Sequence, residues 1–336
     1  MPFRIAIVLF LLIFIAPAQA APPVRLTISF PGPRNISYLP LEVAAKIGAD
    51  RTEGAELVTI HTGGGAVALD NLLNRNADFA IAGLPAAMSQ RTNGGKVVAI
   101  APVDDAPLFI LMVRSDLKAK VKRIADLKGR VVGVNTSSLS SKTTSQQLAE
   151  LLLSSDGVST DMVRIVPAGQ SWREQSTLLE SRATDAIMGD EPFASRLKAD
   201  GKVYFLADLS DPRTTAQIPG ANFLHAALET RDDMLREHPE HVERMVRILR
   251  RTLIWMAGHS PEQIVDALAV NDPEERDSLL HCLKTYPHLY SHDGRFSSRQ
   301  LAETERFFHT SSGDSPQAKA LRLEDMVVDR WAGRKP

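Results

Sequence analysis

The chain has one cysteine, Cys282 in "SLLHCLK", so no disulfide can form within it. It has almost no excess charge: 39 Lys and Arg against 40 Asp and Glu leave a formal net charge of −1. That removes the basic footprint of a nucleic-acid binder. After the first twenty residues no run is long and apolar enough to span a membrane. There is no G-x-x-x-x-G-K-[ST] loop for a nucleotide phosphate and no G-x-S-x-G nucleophile elbow. No S-x-x-K dyad exists either, because the residue three before Lys142 is Leu139. Cys282 follows His281, but neighbours on a helix point to different faces. His238 and His241, and His288 and His292, have ligand-like spacing, yet neither pair completes a familiar metal-ligand pattern. These absences leave no catalytic residue, no metal and no cofactor to expect, and they point away from an enzyme.

What is present begins with an export signal. "MPFR", the apolar "IAIVLFLLIFIA" and the small residues of "PAQA" make residues 1–20 a signal peptide, with cleavage after Ala20. No cysteine follows that site to carry a lipid. An exported, disulfide-free protein of this size fits a bacterial periplasm. Its 336 residues, 44% of them apolar, suffice for two domains with buried cores.

Beyond the signal, short strands and helices alternate, which means a mostly parallel sheet covered by helices. "VRLTISF", "ELVTIH", "DFAIAG" and "KVVAIAPV" read as strands. After "APLFILMVRSD" a second series follows with "RVVGV", "MVRIVPA", "TDAIMG" and "VYFLADL". The remainder, from "DDMLREHPEH" onward, is helical. Leu235, Val242, Met245, Val246, Leu249, Leu253, Ile254 and Met256 form its expected buried stripe. "LLNRNADFAIAGLP" is echoed by "LLESRATDAIMGDEP", which implies two α/β lobes built on one unit. Ligands of open α/β sheets sit off the carboxyl ends of strands. Two such lobes therefore make a cleft, with the segments near Ala106 and Ala221 as hinge strands.

Two loops open onto that cleft. Gly63, Gly64 and Gly65 lie between a strand and a helix, where bare N–H groups and the helix dipole suit an anion. The alternative is simply a tight turn. A dinucleotide fingerprint is a poor fit, because no acidic residue ends the next strand. In the second lobe, Thr136, Ser137, Ser138 and Ser141 offer hydroxyls and Lys142 a charge, for capping or for a ligand. Arg34 and Tyr38 end the first strand's loop and face the cleft. Trp172 follows another strand, as a lid or as packing. Asp190 and Glu191 stand at a strand end, to bind a cationic group, tie the hinge or meet solvent. Leu84, Pro85, Ala86 and Met88 suggest apolar walls, so an organic anion is expected over nitrate, with a more apolar ligand as the alternative.

"YLPLEVAAKIG", "GGGAVALDNLLNRNADFAIAGLPAAM", "IADLKGRVVGV" and "TDAIMGDEP" together resemble the periplasmic solute-binding proteins of ABC importers. The branch is that for nitrate, taurine, aliphatic sulphonates and thiamin pyrimidine precursors. The resemblance implies the two-lobed α/β type II periplasmic-binding-protein fold with a helical C-terminal tail. Its lobes would be 24–107 with 223–336, and 108–222. It places ligand contacts within Asn35–Tyr38, Gly63–Gly65, Gly83–Ala86, Thr136–Ser138 and Gly189–Glu191, with Asn35, Ser37, Tyr38, Gly83, Leu84, Pro85, Asp190 and Glu191 as the side chains and backbone expected to touch the ligand. The implied protein is a monomer that carries a small molecule such as a sulphonate or carboxylate to an ABC permease. A sensor module and an enzyme like the pyrimidine-precursor synthases are the alternatives.

Overall fold

The computed structural model describes residues 22–336; the proposed signal peptide lies outside them. Ten strands form two five-stranded sheets. The first holds β1 (Val24–Pro31), β2 (Ala55–Thr62), β3 (Phe79–Gly83) and β4 (Val97–Pro102). The second holds β5 (Phe109–Arg114), β6 (Val131–Val134), β7 (Arg164–Pro167), β8 (Ala186–Asp190) and β9 (Val203–Asp208). The chain then returns as β10 (Ala226–Arg231), giving the orders β2-β1-β3-β10-β4 and β7-β6-β8-β5-β9. In each sheet one strand runs against the rest: β10 is antiparallel to β3 and β4, and β5 to β8 and β9. Those are the strands that follow the two crossings between lobes. Both are shorter than the apolar runs suggested, because Ala106–Leu108 and Ala221–His225 are spent on the crossings themselves.

The repeated segment is a repeat in space. Arg75 and Arg182 each adopt a left-handed φ, 62° and 59°, as the chain leaves a helix. Three residues on, Asp78 Oδ2 accepts from the Thr27 amide at 2.9 Å, and Asp185 Oδ2 from the Val131 amide at 3.0 Å. Each aspartate thus ties its strand, β3 or β8, to the lobe's first parallel neighbour.

Phe79 on β3 is fully buried against Leu26, Ile28 and Leu69 in the first lobe's core. Phe79→Ala is expected to cost about 3–5 kcal/mol by creating a cavity, read as a fall in the urea midpoint. The helix Pro239–Ala257 covers the same core with Val242, Met245, Val246, Leu249 and Leu253. Ile254, expected in that stripe, is 57% exposed, since it lies about 100° around the helix from Leu253. The helix Ser298–Ser311 joins the lobes: Phe308 enters the first core, while Phe307 enters the second and stacks on Phe223 at 4.3 Å.

Candidate functional site

The carboxyl ends of the two sheets face each other, and the lobes touch. The Ser137 amide donates to the Gly63 carbonyl at 2.6 Å. Asn35 Nδ2 donates to Asp190 Oδ2 at 2.6 Å and to Gln170 Oε1 at 3.0 Å. Gln147 Nε2 reaches the Pro85 carbonyl at 3.0 Å and Ser89 Oγ at 3.1 Å. Between these contacts lies a cavity of about 10 Å³, the room of one water. Tyr38, Gly65, Gly83, Ala86 and His225 line it from the first lobe. Phe109, Asn135, Thr143, Thr144, Ser145, Gln170 and Asp190 line it from the second.

The triple glycine takes a different role from the one expected. Gly64 has φ +154° and precedes the helix Gly65–Leu73, so the strand-to-helix turn is real. What approaches the bare backbone, however, is the other lobe. A Cβ on Gly63 would stand 2.6 Å from Ser137 Cβ, and one on Gly64 would stand 2.5 Å from Thr136 Oγ1. Gly83 repeats this, with Thr144 Oγ1 2.1 Å from where its Cβ would be. Thr136, Ser137 and Ser138 accordingly serve the lobe contact and their own loop, where Thr136 Oγ1 donates to the Ser138 carbonyl at 2.9 Å. The helix beyond is capped by Thr143, not by that patch, and Lys142 pairs with Glu150.

Other expected contacts are engaged elsewhere. Arg34 is bound by Glu42 and lies 3.5 Å from Glu275, so its charge is met away from the cavity. Ser37 is buried, with its amide on Asn35 Oδ1. The Leu84 amide donates to the His225 carbonyl at 2.6 Å. Glu191 accepts from the Ser195 amide and hydroxyl, capping the helix Phe193–Ala199. Trp172 packs under Arg196 and Lys202, and its Nε1 donates to Asp200 at 3.2 Å. That is packing, not a lid, and Trp172→Ala is expected to lower Tm while leaving the affinity for any cleft ligand unchanged, as titration of the variant will test.

Of the expected residues, Tyr38, Gly65, Gly83, Ala86 and Asp190 line the cavity, and Asn35 bonds two of its lining residues, Asp190 and Gln170. Phe109, Asn135, Thr143, Thr144, Ser145, Gln170 and His225 were not anticipated. "TTS" directly before "QQLAELLL" is a helix-cap signal that marks Thr143–Ser145. His225 is the one ring nitrogen donor in the apolar run "ANFLHAALET", which is a visible signal too.

Several polar atoms around the cavity are buried without a partner: Asp190 Oδ1, Thr144 Oγ1, and both nitrogens of His225. Burial pushes the Asp190 carboxyl up to about 7 and the His225 imidazole down to about 3. His225 sits edge-on to Phe109 at 4.8 Å and to Tyr38 at 6.0 Å. Asp104 and Glu229 are also fully buried and raised by desolvation. Cys282 is buried and its thiol is pushed up by burial and by Glu191, which makes it a poor nucleophile. On the surface, His238, Glu240 and His241 gather their ligand atoms within 4.8 Å of one another, so Glu240 is an acidic partner to that histidine pair.

A family model described as "NMT1/THI5 like" matches residues 35–264. The chain belongs to the NMT1/THI5-like family. No curated protein matches it. Among solved structures, a protein of Bordetella bronchiseptica RB50 is similar at a TM-score of 0.83 and 21% identity, over 94% of this chain and 97% of that one. The periplasmic nitrate-binding protein NrtA of Synechocystis PCC 6803 is similar at 0.69 and 12% identity, over 91% and 86%. The desulfurization enzyme DSZB is similar at 0.60 and 18% identity, over 92% and 98%. At these identities the likeness is one of fold: this NMT1/THI5-like chain has the type II periplasmic-binding-protein fold. Of these three neighbours, NrtA is a nitrate-binding protein and DSZB an enzyme.

Proposed function

We propose that this protein is an exported, monomeric solute-binding protein that closes its lobes on one small molecule and delivers it to the permease of an ABC importer. The observation that carries this reading is the cavity itself. Unpartnered polar atoms of both lobes converge on it, at the strand ends where the fold meets its ligands. The glycines at 63, 64 and 83 let the lobes meet around it. Closure is then driven by a ligand's higher affinity for the closed form. Export to the periplasm rests on residues 1–20, and no step of the reading requires catalysis.

The test is thermal unfolding of the chain from Ala21 against a panel of small solutes, with small-angle scattering on each hit. A ligand at a hundred times its Kd adds about 2.7 kcal/mol of stability, and should also shrink the radius of gyration. A solute that is chemically transformed during incubation would instead favour an enzyme.

A further inference from the structure

We propose that the cleft, opened beyond the water-sized cavity between the closed lobes, takes a small organic cation, a primary ammonium or an amidinium, with its donors on Asp190 and Thr144 and its charge beside the Tyr38 and Phe109 rings. This rests on the solute-binding reading and names its ligand class. It departs from the organic anion that the glycine and hydroxyl loops suggested.

The argument is one of missing countercharge. Among the described residues, no lysine or arginine lines the cavity. The nearest candidate in sequence, Arg34, is held by Glu42 and Glu275. The titratable groups facing Asp190 from the elements packed around it are Tyr38, Asp104, Glu191 and Cys282. His225 shares the cavity and is held neutral by burial. Asp104 and Glu229 are buried carboxyls that desolvation keeps largely protonated, so Asp190 is the carboxyl whose charge a bound ligand would meet. An anion placed here would face carboxyl groups and find no cation.

Two further observations say that something with donors belongs there. Asp190 is 2% exposed; Asn35 bonds its Oδ2 at 2.6 Å, while Oδ1 has no hydrogen bond of ordinary geometry, with the Asn135 side chain as its other polar neighbour. Thr144 is 3% exposed, and its hydroxyl is without a partner. A buried carboxylate with a free oxygen costs stability unless it is neutralised or paired. Aromatic rings favour a cation at their faces, and more so when it is desolvated. A cation beside Asp190 would also draw its proton off, so binding near pH 7 releases protons.

The experiment uses methylamine, guanidinium and acetamidine chlorides against methanesulfonate, acetate and nitrate sodium salts, at matched ionic strength. Thermal unfolding and calorimetry are read on the chain from Ala21 and on Asp190→Asn. The expected result is a rise of about 5 °C in Tm with a cation at a hundred times its Kd. Proton release should appear as a dependence of the binding heat on buffer ionisation enthalpy. Asp190→Asn should weaken that cation at least about thirty-fold. Stabilisation by anions alone overturns the cation and leaves the solute-binding reading standing. Cation binding that Asp190→Asn does not alter overturns the assigned site. Silence from both panels overturns the cation, and scattering that never changes with any solute overturns the solute-binding reading as well.

Discussion

Gly63→Ala is expected to hold the lobes apart. The added methyl carbon falls 2.2 Å from Ser137 Oγ and 2.6 Å from Ser137 Cβ. A rotamer change moves the hydroxyl but not the Cβ, so the clash is relieved only by separating the loops. Gly63 does not need a left-handed φ, so alanine there does not strain its own turn. The cost therefore falls on closure and not on the folding of either lobe. Overpacking of this kind costs about 1–3 kcal/mol, which weakens a ligand that needs closure by about five- to 150-fold. Scattering should show a larger radius of gyration. The double variant Gly63→Ala with Ser137→Gly should recover both, because the nearest remaining Ser137 atom, Cα, is 3.8 Å away. If Gly63→Ala closes and binds like the parent, the glycine is there for the turn alone.

Asp190→Asn is expected to stabilise the protein above neutral pH. The carboxyl rises from 3.8 to about 7 on folding, because burial disfavours its charged form. The folded state therefore holds its proton more tightly than the unfolded chain. Stability is greatest below pH 3.8 on this account and is lost as pH rises to 7, by up to about 4 kcal/mol. His225 works the other way. Its folded value is depressed from 6.5 to about 3, so its contribution is present above 6.5 and is lost as pH falls toward 3. The two slopes oppose each other between about 3.8 and 6.5. Removing the carboxylate deletes its slope alone; those of His225, Asp104, Glu229 and Glu191 are shared by variant and parent. Chemical denaturation at pH 5 and pH 8 should then show the variant gaining on the parent with rising pH, by about 1–4 kcal/mol at pH 8. The asparagine oxygen can still accept from Asn35. A variant with no pH-dependent advantage would mean that Asp190 is ionised and satisfied in the fold.

Much of the architecture was legible because periodicity reports it directly. The strands of both sheets follow their apolar runs, and the repeated segment does mark equivalent strands, down to the tethering Asp78 and Asp185. Ile254 was misplaced because a long helix rotates out of its stripe within one residue. The site was legible only in part. Tyr38, Gly83 and Asp190 stand at strand ends, and strand ends face the cleft. Gln170 carries no such local mark: its role comes from Asn35, which lies 135 residues before it, and from the Asn135 carbonyl. Trp172 and Arg34 looked available because a sequence does not show Asp200, Arg196 or Glu275 arriving from elsewhere. The glycines were correctly seen as a place of close approach, but which surface approaches is a property of the assembled lobes.

The main-chain bond from Ser137 to Gly63 has a kinetic consequence. With that bond made, the space between the lobes is no larger than a water, so an organic molecule enters only after it breaks. Association then waits on an internal step. The observed rate should rise with solute concentration and level off at the opening rate, as stopped-flow fluorescence would record. The measured affinity is correspondingly weaker than the intrinsic one by the fraction of molecules that are open. A latch made from backbone atoms works the same way for every solute, so discrimination among solutes would appear in how slowly they leave.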